Sequence, residues 1–174
     1  MKWLKRLGKT ALVLLAVVGA WQLWPKSEPP VNVYPLIDFS TGPDGIVGFP
    51  SINPKTAQEL ENGGLNSESQ SAGGLLVLPS GASAEAPVPA VVILHGSGGD
   101  WSGRSVYLAN RLARHGIAGF AVDTFVSRNL RPTDDYYVRL QKAGIYTQIA
   151  DGLNALKALQ AHRKSKKKRR FLGG

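Results

Sequence analysis

Hydrophobic and polar positions divide the chain into segments of different period. The clearest is residues 88–99, Val-Pro-Ala-Val-Val-Ile-Leu-His-Gly-Ser-Gly-Gly, an apolar run that stops at a histidine and a glycine-rich turn. Val91, Val92, Ile93 and Leu94 are consecutive and mostly β-branched, the pattern of a strand buried on both faces. Past the turn, Arg104–His115 carries apolar residues at helical spacing. Leu108 and Leu112 are four apart, Ala109 and Ala113 widen the same face, and Gly116 stands where a helix stops. Ile117–Val122 reads as a second buried strand, ending at Asp123-Thr124-Phe125, and Val126–Thr133 as a loop. The spacing then predicts one long helix from about Asp134 to His162. Its core stripe is Ile145, Ile149, Leu153, Leu156 and Leu159, and its polar face is solvated. Asp134 and Asp135 fall at its positive end, and Lys157 and His162 near its negative end.

Upstream the pattern is less regular. Gly73–Pro79 predicts a strand and Ser80–Pro89 a polar connection. Tyr34–Phe39 and Ile46–Ile52 predict short strands around a turn at Gly42-Pro43-Asp44-Gly45, and Asn53–Ala72 a surface loop. From residue 73 the alternation of strand and helix implies the α/β class, with a mostly parallel sheet, flanking helices and right-handed crossovers. In such sheets ligands bind beyond the carboxyl ends of the strands. His95–Gly99 and Asp123–Arg128 both lie there.

Ahead of this domain, residues 1–9 are basic and Thr10–Trp24 is an uncharged, largely apolar stretch of fifteen residues. As a helix it spans about 22 Å, short of the roughly 30 Å hydrocarbon core. Residues 1–24 are therefore either a signal peptide cut near Val18-Gly19-Ala20 or an uncleaved hydrophobic helix. In the second case Trp21 and Trp24 are interfacial anchors, Leu4 and Leu7 extend the helix, and Lys5 and Lys9 snorkel. Both readings leave the basic side in the cytoplasm and export the rest, and the anchor keeps the domain tethered to the membrane. Residues 25–72 hold a proline-containing linker, Pro25–Pro30, and the N-terminal strands and loops. Residues 73–174 form the main domain.

Composition narrows the chemistry. The 174 residues, 43% of them hydrophobic, suffice for one domain with a real core. The net charge of +9 sits at the two ends. Without Lys2, Lys5, Arg6 and Lys9, and without Arg163, Lys164, Lys166, Lys167, Lys168, Arg169 and Arg170, ten basic residues face twelve acidic ones. The body is thus slightly acidic, and the lack of interleaved aromatics in the basic run speaks against specific nucleic-acid binding. No cysteine occurs, which excludes disulfides, thiolate metal sites and a cysteine nucleophile within these residues. No metal-ligand cluster, Rossmann fingerprint or phosphate loop is present, so no cofactor and no metal is expected.

The run from Pro89 to Gly99, then Leu112-Ala-Arg-His-Gly-Ile-Ala-Gly-Phe-Ala-Val-Asp-Thr-Phe125 and the following Ala/Leu-rich helix, resembles the dienelactone hydrolase family of the α/β-hydrolase fold. The resemblance covers about residues 73–174. It implies a small ester or lactone as substrate and an oxyanion hole whose first backbone N–H is that of Ser97, with Gly98 next. The Ser97 hydroxyl is not the implied nucleophile. That residue belongs on a Gly-x-Ser-x-Gly elbow, or a cysteine variant, after a later strand, followed in order by the acid and the histidine. Lys168-Arg-Arg-Phe-Leu-Gly-Gly174 resembles the strand leading to the elbow, but no Gly-x-Ser-x-Gly occurs and all three histidines lie upstream. The implied fold is an incomplete α/β-hydrolase domain, its N-terminal portion, with no catalytic residue of its own and no turnover as given.

The remaining polar residues have structural readings. His95 braces the turn, Asp123 caps the end of its strand, Arg128 lies near the site without an implied role, and His115 and His162 sit at helix ends, where a cation suits the dipole. Two other functions fit the same residues. One is a tethered, non-catalytic interaction module that associates through an open sheet edge. The other is a binder of anionic lipid or nucleic acid through the basic run.

Overall fold

The computed structural model describes residues 34–65 and 67–165, all within one compact unit, Val31–Gly174. The expected N-terminal helix, the linker at Pro25–Pro30 and the segment Lys168–Gly174 lie outside the described residues. Among the described residues no helix is long and apolar enough to cross a membrane.

Among the described residues four strands form one mixed sheet in the order β1-β2-β4-β3, with β1 at Gly45–Ile52, β2 at Ser69–Val77, β3 at Ala90–Leu94 and β4 at Ala118–Asp123. Among the same described residues four α-helices flank it: α1 Ala57–Glu61, α2 Val106–Arg114, α3 Tyr136–Lys142 and α4 Ile145–Ala161. β3 and β4 run parallel, Ala90 opposite Ala118 through Leu94 opposite Val122, as their crossover through α2 requires. The other two pairings, β1 with β2 and β2 with β4, are antiparallel. The expectation of a mostly parallel sheet is thereby corrected. Helix α1, at five residues, rises only about 8 Å. It cannot carry the chain back along an eight-residue strand that is about 26 Å long.

β4 is an interior strand, and all six of its residues are buried. Side chains alternate across it. Phe120 and Val122 join Phe39, Val47, Phe49, Leu76, Ala155 and Leu159 on the α4 side, while Ala121 packs with Ile93, Ala109 and Leu112 on the α2 side. Gly119 lets α2 come close, because a Cβ there would lie 2.5 Å from the Ala109 Cα.

β3, in contrast, is the edge strand of the described sheet. Val91 and Leu94 are each 41% exposed and only Ile93 is buried, so this is not the doubly buried strand its composition suggests. Four apolar residues in a row satisfy the pattern of an interior strand, but nothing local states whether a neighbour is present on each side. Beyond α4 the chain returns to the start of β3. The Val88 N–H donates to the Lys164 carbonyl (3.0 Å), and Val88 pairs in parallel with Ser165.

Further expectations need correction. The predicted helix over Asp134–His162 is two helices. Ala143 and Gly144 leave helical geometry between them (φ −139°, ψ 53° and φ −69°, ψ −177°). A Cβ on Gly144 would meet the Leu140 carbonyl at 2.7 Å, so this tight corner needs glycine. The core face of α4 is also not the expected one. Ile145, Ile149, Leu153 and Leu156 are 38–66% exposed, whereas Thr147, Ala150, Asp151, Ala155 and Leu159 are buried. Tyr34–Phe39 forms no strand, only a single bridge from Leu36 to Gly48 and a 3-10 turn at Phe39–Thr41. Within the expected loop Asn53–Ala72 lie α1 and the first residues of β2. His162 is fully buried rather than a charged helix end. Its Nδ1 accepts from the Lys164 N–H (3.2 Å), which leaves the proton on Nε2 to reach the Pro43 carbonyl (2.8 Å) and makes the ring neutral. Gly116 does end α2, with φ +77° and hydrogen bonds from Gly116 and Ile117 to Ala113 and Leu112.

Candidate functional site

The carboxyl end of β3 leads directly into the turn His95–Gly99, in which His95, Gly96, Ser97 and Gly99 each make a hydrogen bond. The Gly99 N–H closes the turn on the Gly96 carbonyl (2.9 Å), and the Trp101 N–H takes the Gly99 carbonyl (2.8 Å). Gly99 has φ +73°, a conformation that a side chain disfavours, and a Cβ there would lie 2.4 Å from the Phe125 ring. Gly96 and Gly98 have open space where a Cβ would be. Close approach of a partner group to their backbone is therefore unobstructed.

His95 is buried beneath the turn and braces it, as expected. Its Nε2 accepts the Thr124 N–H (3.2 Å), so that nitrogen carries no proton, and Nδ1–H donates to the Gly96 carbonyl (2.8 Å). The neutral ring ties the ends of the two parallel strands together. Its lone pair at Nε2 is engaged, and the Asp123 carboxylate lies 3.9 Å away. Phe125 stacks edge-on against the same ring, with centroids 4.6 Å apart.

Asp123 is the strand cap it was expected to be. Oδ1 accepts from the Phe125 and Val126 N–H groups (2.9 and 3.2 Å), and Oδ2 accepts from the Tyr34 hydroxyl (2.9 Å). Burial, with the adjacent Asp123 charge adding to it, pushes the Tyr34 phenol well above the ordinary tyrosine range. Arg128 turns inward. It forms two hydrogen bonds to Asp151 and further ones to the Thr124 carbonyl and Asn53 Oδ1. Burial raises the Asp151 carboxyl against the opposing pull of Arg128 and Ser51. These groups are matched to one another and offer nothing to a ligand.

A different inventory applies at the crest of the turn. Ser97 and Gly98 are exposed, and among the described residues neither backbone N–H donates to any group. The Ser97 carbonyl is taken by Arg139 on α3, whose Nη1 lies 2.6 Å away. Beside the turn is a cavity of about 360 Å³, lined among others by Leu94, Gly98, Asp100, Arg104 and Ser105. Gly98 belongs to its wall and Ser97 does not. This arrangement can accept a partial or full negative charge on oxygen at two adjacent N–H donors. No serine hydroxyl among the described residues is hydrogen-bonded to a histidine, and no cluster of metal-ligating side chains occurs among them.

The pattern along the chain located His95–Gly99 and Asp123. It missed Tyr34, Asn53, Arg139 and Asp151. One signal was present for Asp151: a carboxylate between Ala150 and Gly152 in an otherwise apolar helical stretch. Compared with known proteins, the chain matches no protein-family model, no curated protein and no solved structure.

Proposed function

We propose that this chain carries the oxyanion side of an ester- or lactone-hydrolysing site of the dienelactone hydrolase type. The observation that supports it best is the pair of unpaired N–H groups at Ser97 and Gly98, on a turn between the third strand and the helix that follows it. That connection is where α/β-hydrolases draw one of their two oxyanion donors. The parallel pairing of β3 and β4 and the capping role of Asp123 agree with the same reading. So does the arrival of Ser165 beside Val88, running parallel to β3.

In the proposed reaction a nucleophile adds to the ester carbonyl, the carbonyl oxygen becomes an alkoxide held by backbone N–H groups, and collapse expels the alcohol before water releases the acid. Each donor contributes about 10²–10³ in rate, but only once a nucleophile is present. This chain contains no Gly-x-Ser-x-Gly and no cysteine, and His95 is committed to the turn. This chain is therefore proposed to bind the oxygen without turning the ester over, at a site exported and tethered through residues 1–24.

Titration of the isotope-labelled chain with acetate, a small carboxylate product of ester hydrolysis, tests this. Movement of the Ser97 or Gly98 amide resonances is the expected result, and resonances of both that stay put refute the oxyanion reading. Hydrolysis of p-nitrophenyl acetate that a serine-directed phosphonate blocks would refute the claim that the chain lacks turnover. Deleting residues 1–24 is expected to move the protein from the membrane fraction to the soluble one.

A second reading is favoured by one observation: the exposed Val91 and Leu94 on the edge strand β3, beside the exposed apolar stripe of α4. Open edges recruit strands, and here the proposed partner is a second copy of the chain. Light scattering at rising concentration decides, since a monomer throughout excludes it.

A further inference from the structure

We infer that Arg139 is a positioning residue for this site. By holding the Ser97 carbonyl it fixes the Ser97–Gly98 peptide so that the Gly98 N–H, rather than that of Ser97, is the donor presented to a substrate oxygen. This inference rests on the oxyanion reading and adds to it the identity of the donor and the group that aims it.

A trans peptide is planar, and its C=O and N–H point in opposite directions. Arg139 grips the oxygen end of this peptide (Nη1 to O, 2.6 Å) from α3, so the Gly98 N–H points away from α3. Gly98 is part of the cavity wall, and neither Ser97 nor Arg139 is. The oxygen end is thus anchored outside the cavity while the N–H end belongs to it. The guanidinium also draws electron density through the carbonyl and makes the N–H of the same peptide a stronger donor.

Arg139 is itself held in place. Its guanidinium carbon lies 5.9 Å from the centre of the Phe125 ring and 5.7 Å from that of Tyr136. Phe125 in turn contacts His95 and fills the space a side chain at Gly99 would need. Helix α3, the end of β4 and the turn are joined through that one ring. A loop brace alone would need only some contact to the turn. This one acts on the carbonyl that shares its peptide with the N–H of Gly98, a residue of the cavity wall.

The test uses the full chain with acetate as probe and compares wild type with Arg139→Ala and Arg139→Lys, following the Ser97 carbonyl carbon and the Ser97 and Gly98 amides by NMR. In the wild type the Gly98 amide is expected to respond and the Ser97 amide to stay. Arg139→Ala should shift the Ser97 carbonyl, weaken acetate binding about tenfold and abolish the preference for Gly98. Arg139→Lys, which keeps a charged donor, should restore the preference. Loss of charge alone weakens both amides equally and leaves the preference intact, so an unchanged preference in Arg139→Ala overturns the positioning role while the oxyanion reading stands. A wild-type response at Ser97 alone overturns the assignment of the donor. No response at either amide overturns both.

Discussion

Arg128 and Asp151 meet as a two-pronged ion pair inside the protein, Nη1 at 2.9 Å from Oδ2 and Nη2 at 3.1 Å from Oδ1. Their side chains are 3% and 0% exposed. The pair joins the loop after β4 to α4, and Ser51 at the end of β1 donates to the same carboxylate. Removing one partner leaves the other charged and buried, which costs about 3–5 kcal/mol. Asp151→Ala and Arg128→Ala are each expected to lower the urea midpoint by a corresponding amount. The double variant Arg128→Met with Asp151→Leu should be markedly less destabilised than either single one.

Tyr34 and Asp123 make a pH-dependent contact. Because the folded protein holds the Tyr34 proton more tightly than the unfolded chain does, the contribution is fully present below the ordinary tyrosine value. It is lost as pH rises above about 10, where only the unfolded form releases that proton. Urea midpoints measured from pH 8 to 11 should fall more steeply for the wild type than for Tyr34→Phe. At neutral pH the phenylalanine variant leaves Asp123 Oδ2 without its hydroxyl partner and is expected to cost about 1–3 kcal/mol.

Within the glycine turn only one glycine is demanded by the fold. Gly99→Ala combines the positive φ with the contact to Phe125 and should cost more than the roughly 1–2 kcal/mol of left-handed strain alone. Gly96→Ala enters open space and should leave thermal stability within about 0.5 kcal/mol of wild type. A scanning calorimetry series that ranks the two the other way would contradict the turn geometry.

The two faces of α4 give the next contrast. Leu153→Gln, at a half-exposed position, should change stability by no more than about 0.5 kcal/mol. Leu159→Ala, at a buried one, should cost about 2–5 kcal/mol. Periodicity alone assigns both leucines to the core.

That contrast shows where reading along the chain ends. The stripe Ile145, Ile149, Leu153, Leu156 has the right spacing for a core face, yet the side of α4 that packs inward is lined by Thr147, Ala150, Asp151, Ala155 and Leu159. Its apparent polarity is cancelled by Arg128, 23 residues away. Similarly, β3 has the composition of an interior strand and an edge position in the described sheet. The turn itself was legible at the level of residues, with His95 as a brace and Asp123 as a cap, whereas Ser97 and Gly98 were singled out only through the resemblance. Arg139 was not legible, because nothing near residue 139 refers to residue 97.

By itself, then, the sequence determined the unit from Ala90 to Asp123, strand, glycine turn, helix and strand. Its signals are local: consecutive β-branched residues, apolar spacing over nine helical residues, and glycines at Gly99 and Gly116 where φ must be positive. The tertiary structure alone decided the antiparallel partners of β2, the face α4 turns inward, the partner of Arg128 and the contact of Arg139 with the Ser97 carbonyl. Each of these depends on contacts between groups far apart in the chain, such as Ser51 with Asp151 across 100 residues. Such a pairing forms only when a buried donor and acceptor must satisfy each other in the absence of water.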